Sequence, residues 1–433
     1  MNIAKLVKKC LIGITLAFLL GTFTGAKPAK KKLLPLTSIH IIDRNGFAET
    51  LSNKDRLNQF QNVDFLSQQP YQKVLRIYAR DFKGNVRSVV TTYHSNGNAK
   101  QYLQILNGRA LGNYYEWHEN GTIRVTAKVI GGTADVTPSA ERSWLFDGLS
   151  TAWDEDGHLI AEIPYVQGVL EGMANYYHRC GKIWKQIPYL KNQVDGTVEI
   201  FRNDGEILQQ MNFTMGLRHG TSFRFWNSRQ LASQEDYCKG KLVNGQYFDS
   251  QGNLAAEVKQ GTGFKAVFGK ESIQEMQEYQ DGYLEGEVKV FNNEGNLKRT
   301  YHVKNKIKHG EEVEYFETSN QSAVPAQIKL SFYWYEGKIQ GHVKTWYSNG
   351  IMESQKEMAN NTKHGVSTAW YKDGNLMMIE EYDNDKLVRG DYFRKGEKFP
   401  ISQVTEGKGI VTIFDADGHF IQKIPYENGR PDS

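Results

Sequence analysis

The feature that most limits what this chain can become is a glycine-framed unit that recurs about ten times, in the manner of a repeat architecture. Its clearest copy is Gly148 to Gly172, GLSTAWDEDGHLIAEIPYVQGVLEG. The boundary glycines are Gly112, Gly148, Gly172, Gly196, Gly220, Gly245, Gly286, Gly310, Gly341, Gly365 and Gly390, most often 24 residues apart. Five places on stands an aromatic: Trp117, Trp153, Tyr177, Phe201, Phe225, Phe291, Tyr315, Trp346 or Trp370. Nine places on, a second glycine such as Gly121, Gly157, Gly181, Gly205 or Gly350 marks a turn that needs positive φ. Apolar residues then return at even steps, as in Leu159, Ala161, Ile163 and Tyr165, which is the period of a strand. A further Gly or Asn (Gly168, Asn192, Gly216, Asn361) reverses the chain again. Each unit therefore reads as two short strands and two turns. One hairpin cannot bury its apolar face alone, whereas stacked hairpins can. A helical repeat is disfavoured, because glycines this frequent cost about 1 kcal/mol each inside helices.

Departures from the unit predict local structure. The step from Gly112 to Gly148 holds the extra stretch GGTADVTPSAERS, and the step from Gly310 to Gly341 holds ETSNQSAVPAQ. Both are expected to be long surface loops between strands. Arg229 stands where a turn glycine is due, so that turn should differ. A longer order is also visible. After Gly245 and after Gly390 the chain repeats a shortened unit, with Tyr247 matching Tyr392, Gly261 and Gly263 matching Gly407 and Gly409, and Phe268 matching Phe414. We therefore expect an all-β, elongated array of antiparallel β-hairpins in a single twisted sheet. Its parts are residues 1–26, a basic spacer and short α/β cap over 27–73, and two repeat arrays over 74–285 and 286–433, each closed by a variant unit. In the cap, Ser38 to Asp43 reads as a strand, Asp43 to Gly46 as a turn, and Ser52 as the cap of a short helix over the next residues. Such a segment would cover the first sheet edge, which an array must protect.

Residues 1–26 have the layout of an export signal: a basic start with Lys5, Lys8 and Lys9, an apolar run from Cys10 to Leu20, and a small-residue cleavage site at Thr24-Gly25-Ala26. The mature chain is expected in the periplasm or cell envelope, or secreted. The formal net charge of +4 falls to +1 without that segment, which contains no acid, so there is no electrostatic case for nucleic acid. Lys27, Lys30, Lys31 and Lys32 form a basic spacer, read as a solvated tail with the capacity for weak contact with an anionic membrane surface. Cys180 and Cys238 lie two units apart, on the order of 20 Å along a sheet. A disulfide needs about 7 Å or less between Cα atoms, so two free, partly packed thiols are expected.

The boundary glycine, the aromatic five on, the Asn-Gly turn, the tyrosine and the closing glycine often preceded by His together resemble the MORN repeat in its bacterial variant, most clearly in GHVKTWYSNGIMESQKEMANNTKHG, Gly341 to Gly365. The layout of many units is similar to the family of YwqK-type antitoxin proteins. That resemblance covers the chain from near Val74 to the end. It implies an interaction module with protein or lipid partners, and supplies no catalytic residue to carry over.

The residues themselves offer little chemistry. His219, His309 and His364 each precede a boundary glycine, one per unit, too far apart in a sheet to share one metal held at about 2 Å. Glu311-Glu312 and Glu380-Glu381 lie in strands, where adjacent residues face opposite sides. No nucleophile motif, zinc motif or phosphate loop is present. Neither cofactor nor metal is expected, and an enzyme is not expected. The aromatic column from Trp117 through Phe225 is expected to stack along one face as core, with Trp226 and Tyr371 offering flat contacts on the other. Asn120, Asn212 and Asn360 fall in sequons that turn composition explains. The reading is an exported, non-enzymatic repeat protein that binds a protein partner or envelope component, with an antitoxin-type or lipid-binding protein as alternatives.

Overall fold

The computed structural model describes residues 34–317 and 327–432. Among them, 37 strands form one antiparallel sheet in which strands pair with others close to them in sequence. The chain is the expected array of stacked hairpins. The predicted export signal, with Thr24, Gly25 and Ala26, and the spacer lysines lie outside the described residues, as does most of the second insertion.

Two kinds of turn alternate along the sheet. On one edge, five residues link the strands. In the unit from Gly148, Asp154 N–H bonds to His158 O at 3.0 Å and Gly157 carries φ +85°. On the other edge, two-residue turns have both residues at positive φ, as at Gln167-Gly168 (49° and 88°) and Lys191-Asn192 (50° and 67°). These values describe type I′ turns, whose twist matches that of the flanking strands. The turn at Arg229 is different, as expected: Asn227 pairs directly with Gln230, and neither residue between them has positive φ.

Not all the boundary glycines are boundaries. Gly148, Gly172, Gly196, Gly220 and Gly310 open their strands, whereas Gly112, Gly245, Gly286, Gly341, Gly365 and Gly390 lie within theirs. At Gly172, φ is +112° and an added Cβ would lie 3.2 Å from Pro164 Cγ on the neighbouring strand. Across the hairpin the same glycine lies opposite Tyr189. The pattern recurs as Gly148 opposite Tyr165, Gly196 opposite Phe213, Gly220 opposite Tyr237, Gly310 opposite Trp334 and Gly365 opposite Tyr382, while Gly341 faces Met358. A ring over a glycine fills the space that the missing side chain leaves.

The first-strand aromatics also sit in a fixed register. Trp153, Phe201, Trp346 and Trp370 pair with the apolar residue just past the turn, Leu159, Ile207, Met352 and Leu376. They are half-buried rather than stacked on one another. Equivalent residues of successive units lie two strands, about 9.6 Å, apart. Ring contact needs about 4.5–7 Å, so the expected column of stacked rings cannot form. Units are instead joined through the backbone. His94 and His118 bond through Nε2 to the carbonyls of Trp117 and Trp153 at 2.9 and 3.0 Å, and Arg202 donates to Phe225 O at 2.6 Å. Trp226 and Tyr371 do the same to Phe248 O and Phe393 O, at 2.9 and 2.7 Å, and Tyr371 is 0% exposed. They are ties between units and not the flat contact surfaces expected.

The other edge has its own ladder. In several units the residue before the boundary glycine accepts a hydrogen bond from the first residue of the next type I′ turn. Asp147 accepts from Gln167 N, Asp195 from Met215 N, His219 from Lys239 N and His309 from Glu336 N, at 2.9–3.4 Å. Where the bond forms, the position supplies an acceptor and not an imidazole as such. His364 lies 3.3 Å from Asp383.

The cap pairs its strand Leu36–Asp43 with Tyr71–Arg80, the first strand of the array, and adds Ala48–Leu51 to its other side. The helix Lys54–Asn58 is capped by Asn53, whose side chain accepts from Asp55 N at 2.9 Å, and not by Ser52. Ile39, Leu57, Phe65 and Val74 close a small core beneath it. Cys180 and Cys238 are free and exposed, less packed than expected. Among the described residues no helix is long and apolar enough to cross a membrane.

Candidate functional site

Register sorts the side chains of the units between Gly148 and Gly220 onto two faces. On one lie Gly148, Ser150 and Ala152, opposite Tyr165, Ile163 and Ala161. On the other lie Leu149 and Thr151, opposite Pro164 and Glu162. The first face continues through Ala174 and Ile187, then Val198 and Met211, to Ser222 and Glu235. Ala174, Ile187 and Val198 are buried and pack with Tyr189, Met211 and Phe213. The second face leaves Leu149 51% and Met173 43% exposed. The apolar interior of this single sheet is thus one face of it.

At the amino-terminal end of that face the packing has a hole. The strand Gly148–Trp153 presents only Gly148, Ser150 and Ala152 there, and the neighbouring strands present Ala127 and Ala161. A socket of about 230 Å³ results, walled by Tyr114, Val125, Phe146, Ile163 and Tyr165. Beside it, against the Tyr114 wall, lies the first insertion, expected to be a surface loop. The insertion folds back over the face, with Thr137 capping the short helix Pro138–Glu141 and Trp144 Nε1 bonded to Thr133 O at 2.9 Å. Val136, Ala140 and Trp144 are buried, and Trp144 meets Tyr114 edge-on at 4.9 Å.

The socket has one acidic rim. Along a row across the sheet, Gln101, Glu116, Val125, Ala152, Ala161, Tyr176 and Lys185 follow one another. Glu116 holds Arg124 at 2.9 Å. Glu141, from the insertion, accepts from Gln101 Nε2 at 2.7 Å and, among the described residues, forms no ion pair, although Lys100 and Arg124 lie near enough to act on its charge. Burial, together with the charge of Glu116, pushes the Glu141 carboxyl above its ordinary range.

At the other end of the face lies the first shortened unit, and it is a closed node. Gly261 N–H bonds Val243 O at 2.7 Å, Gly282 N–H bonds Gly261 O at 3.0 Å, and Leu242 N–H bonds Gly282 O at 3.2 Å. A Cβ on Gly261 would lie 2.6 Å from Gly282 N, so only glycine permits the closure. Inside, Glu235 is 6% exposed and takes hydrogen bonds from Tyr237 and Tyr247 at 3.1 and 2.9 Å, with Lys265 Nζ at 2.9 Å and Arg218 Nη1 at 3.3 Å. Burial alone would raise its carboxyl; Lys265, Arg218 and the Tyr247 hydroxyl outweigh that and hold it below its ordinary range. The second shortened unit repeats the closure, with Gly407 bonded to Val388 O, Gly429 to Gly407 O and Leu387 to Gly429 O at 2.9–3.1 Å. Glu380 there is bonded by Tyr382 and Tyr392 at 3.0 and 2.9 Å, and Val411 stands where the first node has Lys265. These carboxylates are consumed by structure: neither node offers a free acid–base pair.

The repeat residues singled out from the sequence are therefore scaffold, held by register and turn geometry. The socket was missed. Its one signal was the insertion, which interrupts the period at the unit whose inward residues are smallest. Asp154, Asp156 and His158 in the adjoining turn lie close enough to share a cation, but Arg179 bridges both aspartates.

Two solved structures show a similarity over much of the chain. A TcdB2–TccC3 structure lacking its hypervariable C-terminal region shares 10% identity over 82% of this chain and 24% of its own, at a TM-score of 0.17. A TcdB2–TccC3–TEV structure shares 11% over 89% and 24%, at 0.16. This chain spans about a quarter of their length, and at such TM-scores the likeness carries no argument. Among curated proteins none matches. The family model of the MORN repeat variant matches residues 146–167, 284–305 and 363–384. Each match runs from the bulge approach to the first residue of a type I′ turn, so the chain carries MORN-variant repeats at these three places.

Proposed function

We propose that this protein is an exported, non-enzymatic scaffold that binds a protein partner on the inward face of its sheet, at the socket beside the first insertion. The observation that carries this reading is the socket itself. Elsewhere on that face, rings lie over glycines and aliphatic groups interlock; here the strand Gly148–Trp153 leaves apolar walls facing a space of about 230 Å³. A concave, largely apolar site beside a few polar groups is the usual form of a binding site. No nucleophile, base or metal set accompanies it, so binding and not turnover is the role it suits. Export rests on residues 1–26, and a mature chain beginning at Lys27 is the corresponding expectation.

A photo-crosslinking amino acid placed at Ser150 in cells tests the reading. A discrete heavier adduct is expected from Ser150, and a much weaker one from Leu149 on the opposite face. Equal labelling from both positions, or none from Ser150, would sink it.

A further inference from the structure

We propose that the socket takes an aromatic side chain of the partner, flanked in the partner by a lysine or arginine whose charge settles against Glu141. This rests on the reading above and specifies its ligand. The aromatic part follows from the walls. Tyr114, Phe146 and Tyr165 bring three rings to one small space, and Phe146 and Tyr165 already meet at 5.3 Å. A ring entering among them finds edge-to-face partners that an aliphatic chain cannot use. Ser150 supplies the only aliphatic hydroxyl on the socket's side of the sheet in the lining, so a charged group would be stranded within the socket itself.

The cationic part follows from the rim. Glu116 and Glu141 both lie on the Tyr114 side, and among the described residues only Glu116 is in a direct ion pair. Val125 alone stands between Glu116 and Ala152 in the row, whereas on the opposite side the larger Tyr176 separates Ala161 from Lys185. The acid is thus nearer the opening than the base. Glu141 belongs to the insertion that packs beside the socket, and Gln101, which donates to it, also donates to the hydroxyl of Tyr114 in the socket wall at 3.2 Å.

The test uses the full mature chain with alanine methyls labelled, and three probes: 2-phenylethylamine, 3-phenylpropionate and n-hexylamine. Shifts of the Ala152 and Ala161 methyls report occupancy. We expect 2-phenylethylamine to saturate both, and to bind about threefold to fivefold more tightly than the anionic probe, the range of a partly exposed ion pair. Glu141→Gln keeps the bond to Gln101 and should erase that preference without preventing aryl binding. Ala152→Phe should abolish binding of every probe. If no aryl probe moves either methyl at up to about 10 mM, a concentration that reveals even fragment-level affinity, the socket is not a binding site and the proposed function falls with it. If both aryl probes bind equally, the site stands and the cationic partner is refuted. If n-hexylamine matches 2-phenylethylamine, the aromatic part is refuted.

Discussion

Replacing Lys265 by methionine removes the nearest cation from Glu235 while keeping an apolar stem over the rings of Tyr237 and Tyr279, which Lys265 now covers at 5.7 and 5.9 Å. Breaking a buried ion pair by removing one partner costs about 3–5 kcal/mol. Here Arg218 remains at 3.3 Å and two tyrosine hydroxyls stay bonded, so the expected loss is about 2 kcal/mol. The second node shows that such a core folds, since Glu380 is 7% exposed with Val411 in the lysine's place. A stacked array does not unfold in one step, so the assay is hydrogen exchange at the amides of Leu242 and Val258, inside the node. Exchange should accelerate about 30-fold at neutral pH, as ~2 kcal/mol implies. Adding Glu235→Gln to Lys265→Met should recover at least about 1 kcal/mol relative to the sum of the single changes. The pH dependence has a definite sign. The folded Glu235 carboxyl lies below its ordinary 4.5, so its contribution is complete above that value and is lost as pH falls through the lower folded value. Lys265→Met raises the folded value and should shrink the difference between the variants in acid. A change under about 0.5 kcal/mol, or an acid response identical to the native chain, would refute the assignment of Lys265 as the main counter-charge.

Gly172→Ala should cost about 1–3 kcal/mol, from a φ of +112° and a Cβ 3.2 Å from Pro164 Cγ, read by exchange at Tyr189; a neutral result would remove the bulge as the reason for that glycine. His219→Ala should expose the Lys239 amide to exchange with a loss of about 1 kcal/mol, and His219→Asp should restore protection, because Asp147 and Asp195 fill that place in other units. Protection lost equally in both variants would show that the imidazole is needed for something besides accepting. N-terminal sequencing of the chain recovered from cells should begin at Lys27, and a chain retaining Met1 would contradict cleavage after Ala26.

Much of this was legible in the sequence because it is local. A strand has period two, a type I′ turn needs positive φ, and a hairpin with one apolar face needs neighbours. The spacing from Gly148 through Trp153, Gly157 and Tyr165 to Gly172 therefore determined strands, turns and stacking without reference to anything distant. What only the tertiary structure decided depends on register between strands. Gly172 is a bulge because Pro164 lies against it, and Tyr371 is a tie because the carbonyl of Phe393 lies within reach of its hydroxyl. Gly261 and Gly282 are glycines because a sheet edge closes on itself, bringing together turns that are 21 residues apart. The socket is the clearest case. Its small residues, Ser150, Ala152 and Ala161, look unremarkable in a list of repeats; they become a site only when Phe146 and Tyr114, held apart in the chain by an insertion, are folded over the same face.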